Sequence, residues 1–172
     1  MSLADHTFTL GIEEEFQIID PETRELRSHI QQILGEGKVT LKEQIKPEMH
    51  QSVVELGTDV CTDIGIAREQ VIRLRSELAG MAGKSGLKIA SAGTHPFSHW
   101  FDQHITEGER YATIVKDLQQ VARANPIFGL HVHVGIPDPS TELPVMNQTR
   151  YFRPTLSALS TQPPLCFTAN PW

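Results

Sequence analysis

The stretch Thr7–Asp20 constrains the fold more than any other, because its apolar and polar residues alternate from Thr7 to Ile18 at every position except Glu14. The period of two is typical of a β-strand with one buried and one polar face. Glu14 falls on the apolar side, and nothing in the sequence accounts for it. The apolar side carries Phe8, Leu10, Ile12, Phe16 and Ile18, and the other side carries Thr7, Thr9, Gly11, Glu13, Glu15 and Gln17.

Glu13 and Glu15 form the first candidate site, since both lie on the polar face of this predicted strand. Extended geometry separates two such residues by about 6.5 Å along the chain. Neighbouring carboxylates raise each other's pKa unless a cation lies between them. Mg²⁺ binds oxygen ligands of this kind, so the pair predicts a metal site. A solvated acidic strand is the alternative.

A second strand of the same design is predicted at Ile127–Ile136. His131 and His133 share its polar face, where an imidazole can bind a metal or contact a phosphate. Gly129 and Gly135 flank them and leave room for a ligand to approach the backbone. Two hydrogen-bonded histidines on a wet sheet face remain the alternative.

Two further carboxylates, Glu48 and Glu55, lie in Ile45–Thr58, which is predicted to be one extended segment. Seven residues separate them, so a regular strand would point them in opposite directions unless a bulge intervened. Glu55 interrupts an apolar run, where a carboxylate is costly unless it is paired or bound to metal. An exposed Glu55 is the alternative, and Thr58 is either a turn residue or a ligand contact.

The predicted elements combine into an α+β fold, an open antiparallel sheet with helices packed on one face. Another strand is expected at Leu87–Thr94. The amphipathic helix that follows Thr62 or Asp63 should bury one stripe and leave charged residues such as Arg75 in solvent. Other helices are predicted at Leu26–Ile33, Glu109–Ala124 and Thr141–Leu159, the last interrupted by Pro144 and Pro154, and a turn at Pro137–Ser140.

Composition limits the classes of function. The chain has 172 residues, which suits one domain (1–172) with an irregular tail at 161–172. A net charge of -6 argues against a nucleic-acid surface. No apolar run approaches a membrane span, and no signal peptide is evident, so cytoplasm is expected. The two cysteines, Cys61 and Cys166, suggest neither a disulfide framework nor a nucleophile.

Four motifs follow one another along the chain: GIEEEF at 11–16, KPEMHQSVVELGTDVC at 46–61, SAGTHPF at 91–97 and GLHVHVGI at 129–136. Together they resemble the carboxylate–amine ligase family called glutamate–cysteine ligase type 2, over about residues 6–160. The resemblance implies a glutamine synthetase-like catalytic core that binds ATP and Mg²⁺, with Mn²⁺ as an alternative metal. It also implies transfer of the γ-phosphate to L-glutamate and attack by an amine such as L-cysteine.

By the same resemblance, roles transfer to individual residues. His133 would contact the phosphates and act in catalysis together with Glu55, and Thr58 would contact the nucleotide. Thr94 and His95 would lie on the substrate side. The implied metal ligands are Glu13, Glu15, Glu48, Glu55 and His131.

The chain also departs from the family. Members are about twice as long, and the segment TQPPLCFTANPW no longer follows the family pattern. A truncation or a frame shift would explain both features, and the incomplete sheet would then favour a homo-oligomer. We expect little ligase activity from this chain alone. A metal- or nucleotide-binding module without catalysis and a metal-dependent hydrolase are the alternatives.

Overall fold

The structure, a computed structural model, describes residues 7–35, 43–123 and 127–160. The predicted tail at 161–172 lies outside these residues. The described strands are β1 (Thr9–Ile19), β2 (Ile45–Pro47), β3 (Val53–Gly57), β4 (Lys88–Ala90) and β5 (Leu130–Gly135). The helices are α1 (Ile30–Gly35), α2 (Ile64–Lys84), α3 (Glu109–Leu118), α4 (Gln120–Arg123), α5 (Pro139–Thr149) and α6 (Arg153–Leu159), with 3₁₀ turns at Trp100–Asp102 and Arg150–Phe152.

The strand β1 is the centre of the sheet, and each described pairing in the sheet is antiparallel. β3 pairs with one edge of β1 and in turn pairs with β2. β5 and β4 share the other edge, β5 along Thr9–Glu14 and β4 along Gln17–Ile19. The predicted open antiparallel α+β sheet is therefore confirmed.

The main core lies between one face of the sheet and α2. Phe16 and Ile18 are 5% and 0% exposed, and they belong to a cluster that includes Leu74 and Leu78 of α2. Asp63 begins this helix, because its carboxylate accepts hydrogen bonds from the backbone N–H groups of Gly65 and Ile66. These core residues agree with the alternation in β1 and with the helical stripe, although Leu10 and Ile12 on the apolar side of β1 are only partly buried.

One prediction about the extended segments is wrong. The segment Ile45–Thr58 forms two strands, β2 and β3, because the chain reverses between them and Pro47 pairs with Val54. The predicted strands at Leu87–Thr94 and Ile127–Ile136 exist but are shorter.

The helices also differ from expectation in their bounds. Leu26 forms a β-bridge with Ile19, so α1 begins only at Ile30. The predicted helix at Glu109–Ala124 breaks at Gln119, which has a φ of 50°. Asp138 caps α5 in place of the expected turn, and α5 continues through Pro144. The predicted helix at Thr141–Leu159 breaks instead at the 3₁₀ turn Arg150–Phe152. Pro154 then lies at the start of α6, where proline is tolerated.

Among the described residues, no helix combines the length and the apolar character that a membrane crossing requires.

Glu14 is the residue that the sequence pattern left unexplained, and its partner is Arg75 of α2. The Nε and Nη2 atoms of Arg75 donate hydrogen bonds to the two carboxylate oxygens at 2.7 and 2.6 Å. The Glu14 side chain is 4% exposed, whereas that of Arg75 is 50% exposed. Arg75 is exposed, as predicted, and the sequence did not indicate that its guanidinium also compensates a buried carboxylate.

We predict that Arg75→Leu lowers the free energy of unfolding by about 2 kcal/mol, because Glu14 then stays buried without its partner. The double variant Glu14→Leu/Arg75→Leu should recover much of this loss. Urea denaturation followed by circular dichroism measures both effects. The control Arg68→Leu, an exposed residue of the same helix, should change stability by less than about 0.5 kcal/mol. Equal losses for Arg68→Leu and Arg75→Leu would contradict the prediction.

Candidate functional site

The polar face of the sheet carries the candidate site across three adjacent strands. Glu15 of β1 lies opposite Glu55 of β3, and Glu13 of β1 lies opposite His131 of β5. His133 lies opposite Gly11 of β1, and the absence of a side chain at Gly11 leaves space beside the imidazole. The period of two and the antiparallel register together bring the predicted carboxylates and histidines onto one surface.

Glu13, His131 and His133 form the first of two clusters, which we call the histidine cluster. One Glu13 oxygen lies 3.0 Å from Nε2 of His133 and 3.3 Å from Nδ1 of His131. The hydrogen bond with His133 is the main reason why the pKa of Glu13 is lowered, and partial burial opposes it. Ligand atoms from all three residues lie within 4.8 Å of one another. The set matches the nitrogen and oxygen donors that divalent metals accept.

The second group, the carboxylate cluster, consists of Glu15, Glu48 and Glu55. An oxygen from each residue lies within 4.8 Å of the other two. Burial is the main cause that raises the pKa of Glu15 and of Glu55, and the neighbouring carboxylates raise both further. The N–H of Gly129 opposes the shift of Glu15 by donating a hydrogen bond at 2.6 Å. Three crowded acidic groups form a ligand set for a hard cation.

The chain reversal between β2 and β3 explains how Glu48 joins this cluster. A bulge within one strand was the expected route, and that expectation is wrong. Glu48 instead begins the turn that follows β2, so it meets Glu55 from the neighbouring strand. The backbone N–H of Met49 donates to the Glu48 carboxylate, and the Thr106 hydroxyl donates to the Glu48 carbonyl. These two hydrogen bonds orient the turn.

A cavity of about 650 Å³ opens beside the two clusters. Glu13, Glu55 and His133 line it together with Thr58. The Thr58 hydroxyl also accepts a hydrogen bond from the Ile12 N–H at 3.0 Å. Thr58 therefore has a structural contact as well as access to the cavity.

Lys46 is a lining residue that the sequence predictions missed. It lies opposite Glu55 in the β2–β3 register and contributes a cation to the same cavity. The spacing of Lys46 and Glu48, two residues apart, was the available signal, because alternate residues of a strand share a face.

Gly129, which precedes β5, and Gly135, the last residue of β5, leave room for side chains of the chain itself. A Cβ added at Gly129 would lie 2.8 Å from Nε2 of His131, and one at Gly135 would clash with the Thr9 hydroxyl. Gly129 therefore leaves room for the ring of His131 to lie against the sheet.

His95 lies in a loop outside both clusters. Its Nδ1 accepts a hydrogen bond from the Ser98 N–H, so its Nε2 donates to the Arg24 carbonyl at 3.0 Å. Burial lowers the pKa of this imidazole. These contacts give His95 a role in loop structure, and its assignment and that of Thr94 to the substrate remain predictions.

Comparison with known proteins assigns the chain to a family. The sequence model for "Glutamate-cysteine ligase family 2(GCS2)" matches residues 9–168. The chain belongs to this family. The assignment confirms the resemblance drawn from the four motifs.

Three curated relatives of the family are provisionally named glutamate–cysteine ligase 2. The protein of Roseiflexus sp. (strain RS-1) is 56% identical over 166 residues, 96% of this chain and 44% of the relative. That of Herpetosiphon aurantiacus is 57% identical over 157 residues, 91% of this chain and 41% of the relative. That of Sorangium cellulosum is 58% identical over 164 residues, 94% of this chain and 44% of the relative. The chain thus spans less than half the length of the family members it matches.

A solved structure supports the fold assignment independently. The glutamate–cysteine ligase of Francisella tularensis, crystallised in complex with AMP, matches 83% of this chain and 30% of its own with a TM-score of 0.57. Sequence identity is 15%, so the likeness concerns the fold. The open antiparallel sheet is therefore one that a glutamate–cysteine ligase also contains.

The raised pKa of Glu55 gives a test of the carboxylate cluster. A carboxyl group whose pKa rises on folding destabilises the folded state once both states ionise. This destabilisation is absent below pH 4.5, the usual pKa of a glutamate. It develops as the pH rises from that value through the higher pKa of Glu55 in the folded state. At pH 7 and without metal, Glu55→Gln should therefore increase the free energy of unfolding. The increase should not exceed about 1 kcal/mol, because solvent screens the charge of this partly exposed side chain.

Urea denaturation at pH 7 and below pH 4, in the presence of a chelator, measures the effect. The gain should disappear at the lower pH, where Glu55 is protonated in both states. Glu69→Gln, a change on the exposed side of α2, should have no comparable effect. A gain for Glu55→Gln that is independent of pH would contradict the electrostatic explanation.

Proposed function

We propose that this chain carries the metal- and phosphate-binding face of an ATP-dependent glutamate–cysteine ligase. The observation that supports the proposal is the convergence of two metal-capable clusters on one sheet face of a chain that belongs to this family. In the reaction, the γ-phosphoryl group of ATP passes to a carboxylate of L-glutamate, which gives an acyl phosphate and ADP. The amine of L-cysteine then displaces phosphate and forms the amide.

We assign Mg²⁺, or Mn²⁺, to the carboxylate cluster of Glu15, Glu48 and Glu55. The donor set fits, because three oxygen ligands lie within 4.8 Å of one another and crowding of negative charge favours a cation. A second divalent ion would be held by Glu13 and His131 in the histidine cluster. When bound, these ions would neutralise the charge of the phosphates, which is the main requirement of phosphoryl transfer.

The remaining roles belong to residues of the cavity. We assign His133 and Thr58 to the phosphates, because both line the cavity beside the clusters. Nε2 of His133 lies 3.0 Å from Glu13, so that carboxylate orients the imidazole. Lys46 adds a cation on the opposite wall. Glu55 would hold the metal and thereby position the reacting groups, which is the catalytic role that we assign to it.

A binding module without catalysis is the second candidate function. The relevant observation is that the chain matches 41–44% of the three relatives described above. The portion of the family fold beyond the match would then supply groups that the reaction needs.

Two further expectations remain predictions. One is that the protein acts in the cytoplasm, where ATP and Mg²⁺ are available. The other is that it forms a homo-oligomer.

We predict that the chain binds Mg²⁺ and the Mg²⁺–ATP complex, and that Glu15→Gln weakens metal binding about tenfold or more because an essential ligand charge is lost. Isothermal titration calorimetry with MgCl₂, then with ATP, measures both events. Glu69→Gln should bind like the unaltered chain. Absence of heat with MgCl₂ and with ATP would refute the ligase and the binding module together.

Product analysis distinguishes ligation from hydrolysis. With ATP, Mg²⁺, L-glutamate and L-cysteine, we expect this chain alone to form little dipeptide, since it covers under half of its relatives. Mass spectrometry of the products and an assay of released ADP measure the outcome. Robust dipeptide formation that Glu13→Gln abolishes would show that the chain is a complete ligase. Release of phosphate without an amide would favour a hydrolase.

A further inference from the structure

We infer that the outer edge and the apolar face of β5 form a docking surface for the portion of the family fold that lies beyond the matched region. The β5 surface, as we name it, consists of Leu130, Val132 and Val134. The occupant is a strand that pairs with β5, together with apolar side chains that cover its face. This inference rests on the family assignment and the structure, and it does not depend on the ligase activity.

The side chains of the β5 surface supply the first argument. Leu130, Val132 and Val134 are 63%, 62% and 51% exposed. In the register with β1 they lie opposite Glu14, Ile12 and Leu10, on the same face of the sheet as the main core. The helix α2 buries this face over Phe16 and Ile18, but no described element covers it at β5. Adjacent exposed apolar residues of this kind mark interaction sites.

The backbone of the same residues supplies the second argument. The Glu15 N–H donates to the Gly129 carbonyl, and Leu10 exchanges hydrogen bonds with Cys61 on the opposite edge of β1. Antiparallel pairs alternate between hydrogen-bonded and non-bonded pairs. His131 and His133 therefore bond to β1, whereas the N–H and C=O groups of Leu130, Val132 and Val134 point outward.

This outer edge is open. β5 pairs with β1, and no other described strand pairs with it. The sequence of β5, LHVHVG, also contains no proline or lysine, the residues that commonly protect an edge strand from pairing. The strand is therefore open to a partner strand.

A groove next to the β5 surface extends the apolar area. Val134 and Ile136 line it on one side, and Leu143 and Met146 of α5 line it on the other. The two α5 residues are 61% and 55% exposed, so this helix also presents an uncovered apolar side. A strand beside β5 and a segment in the groove would bury both together.

The length of the relatives identifies the occupant. They are 56–58% identical to this chain, yet more than half of each lies outside the match. The matched region includes β5, α5 and α6, and these elements carry the uncovered surface. A second copy of the chain is the weaker alternative, because each copy carries a net charge of -6 and the two would repel each other.

Docking at this surface would also complete the candidate site. Alternate side chains of a strand paired with β5 fall on the same face as His131 and His133. The partner would therefore place residues beside the histidine cluster, which has no described strand on that side.

Co-expression tests the proposal directly. The chain is produced together with the portion of the Roseiflexus sp. (strain RS-1) relative that lies beyond the match. We expect a one-to-one complex in size-exclusion chromatography with light scattering. Val132→Asp should weaken the complex about tenfold or more, because a charge would be buried at the contact. Val132→Thr, which preserves shape, should weaken it less.

Val121→Asp is the matched control, since Val121 is 72% exposed in α4 and lies outside the β5 surface. It should leave the complex unchanged, and thermal unfolding should show that each variant chain alone remains folded. Equal effects of Val121→Asp and Val132→Asp would overturn the proposal. A homodimer that Val132→Asp disrupts, without binding of the relative's portion, would identify a second copy as the occupant and overturn it too.

Hydrogen exchange gives a readout at single residues. In the chain alone, the amides of Leu130, Val132 and Val134 should exchange faster than those of His131 and His133. In the complex, or in one polypeptide that joins the two parts in the relative's order, the three outward amides should slow roughly a hundredfold. Unchanged exchange of these amides in the joined polypeptide would overturn the proposal, whether or not the separate parts associate. Calorimetry with Mg²⁺ and ATP tests the proposed function separately.

Discussion

Antiparallel pairing along both edges of β1 is the constraint on which the rest of this structure depends. Because β1 is paired along both edges, its side chains point only to the two faces of the sheet, and alternate residues therefore lie in two different environments. Glu13 and Glu15 face the candidate site, and Phe16 and Ile18 face α2. Glu14 lies on the core side, where the ion pair with Arg75 makes its burial tolerable. One strand thereby connects the site to the core.

The two clusters on the polar face have opposite electrostatics, although they share a sheet. Glu13 has histidine neighbours, so hydrogen bonds lower its pKa. Glu15 and Glu55 are partly buried, and this burial, together with their carboxylate neighbours, raises their pKa values. The carboxylate cluster consequently gains more from a hard cation, while the histidine cluster already has internal partners. This difference provides a physical reason why the two metal positions that we propose would have unequal ligand sets.

Burial is distributed unevenly along the chain. The cluster around Phe16, Ile18 and α2 is closely packed, whereas β5, α5 and α6 expose most of their apolar side chains. The uncovered residues belong to a region that relatives of about twice this length also contain. The described residues therefore combine a buried core with a sheet whose edge strand β5 is unpaired on its outer side and uncovered on its apolar face.

The sequence alone determined which side chains share a face, because the direction of a strand side chain follows from the local period of two. It was enough to place Glu13 with Glu15, to place His131 with His133, and to indicate an open antiparallel sheet. Only the tertiary structure decided that Glu48 joins Glu55 and that Arg75 pairs with Glu14 across 61 positions. These contacts depend on where the chain reverses and on which strands and helices become neighbours. Long-range packing fixes those choices, and a local pattern does not encode them.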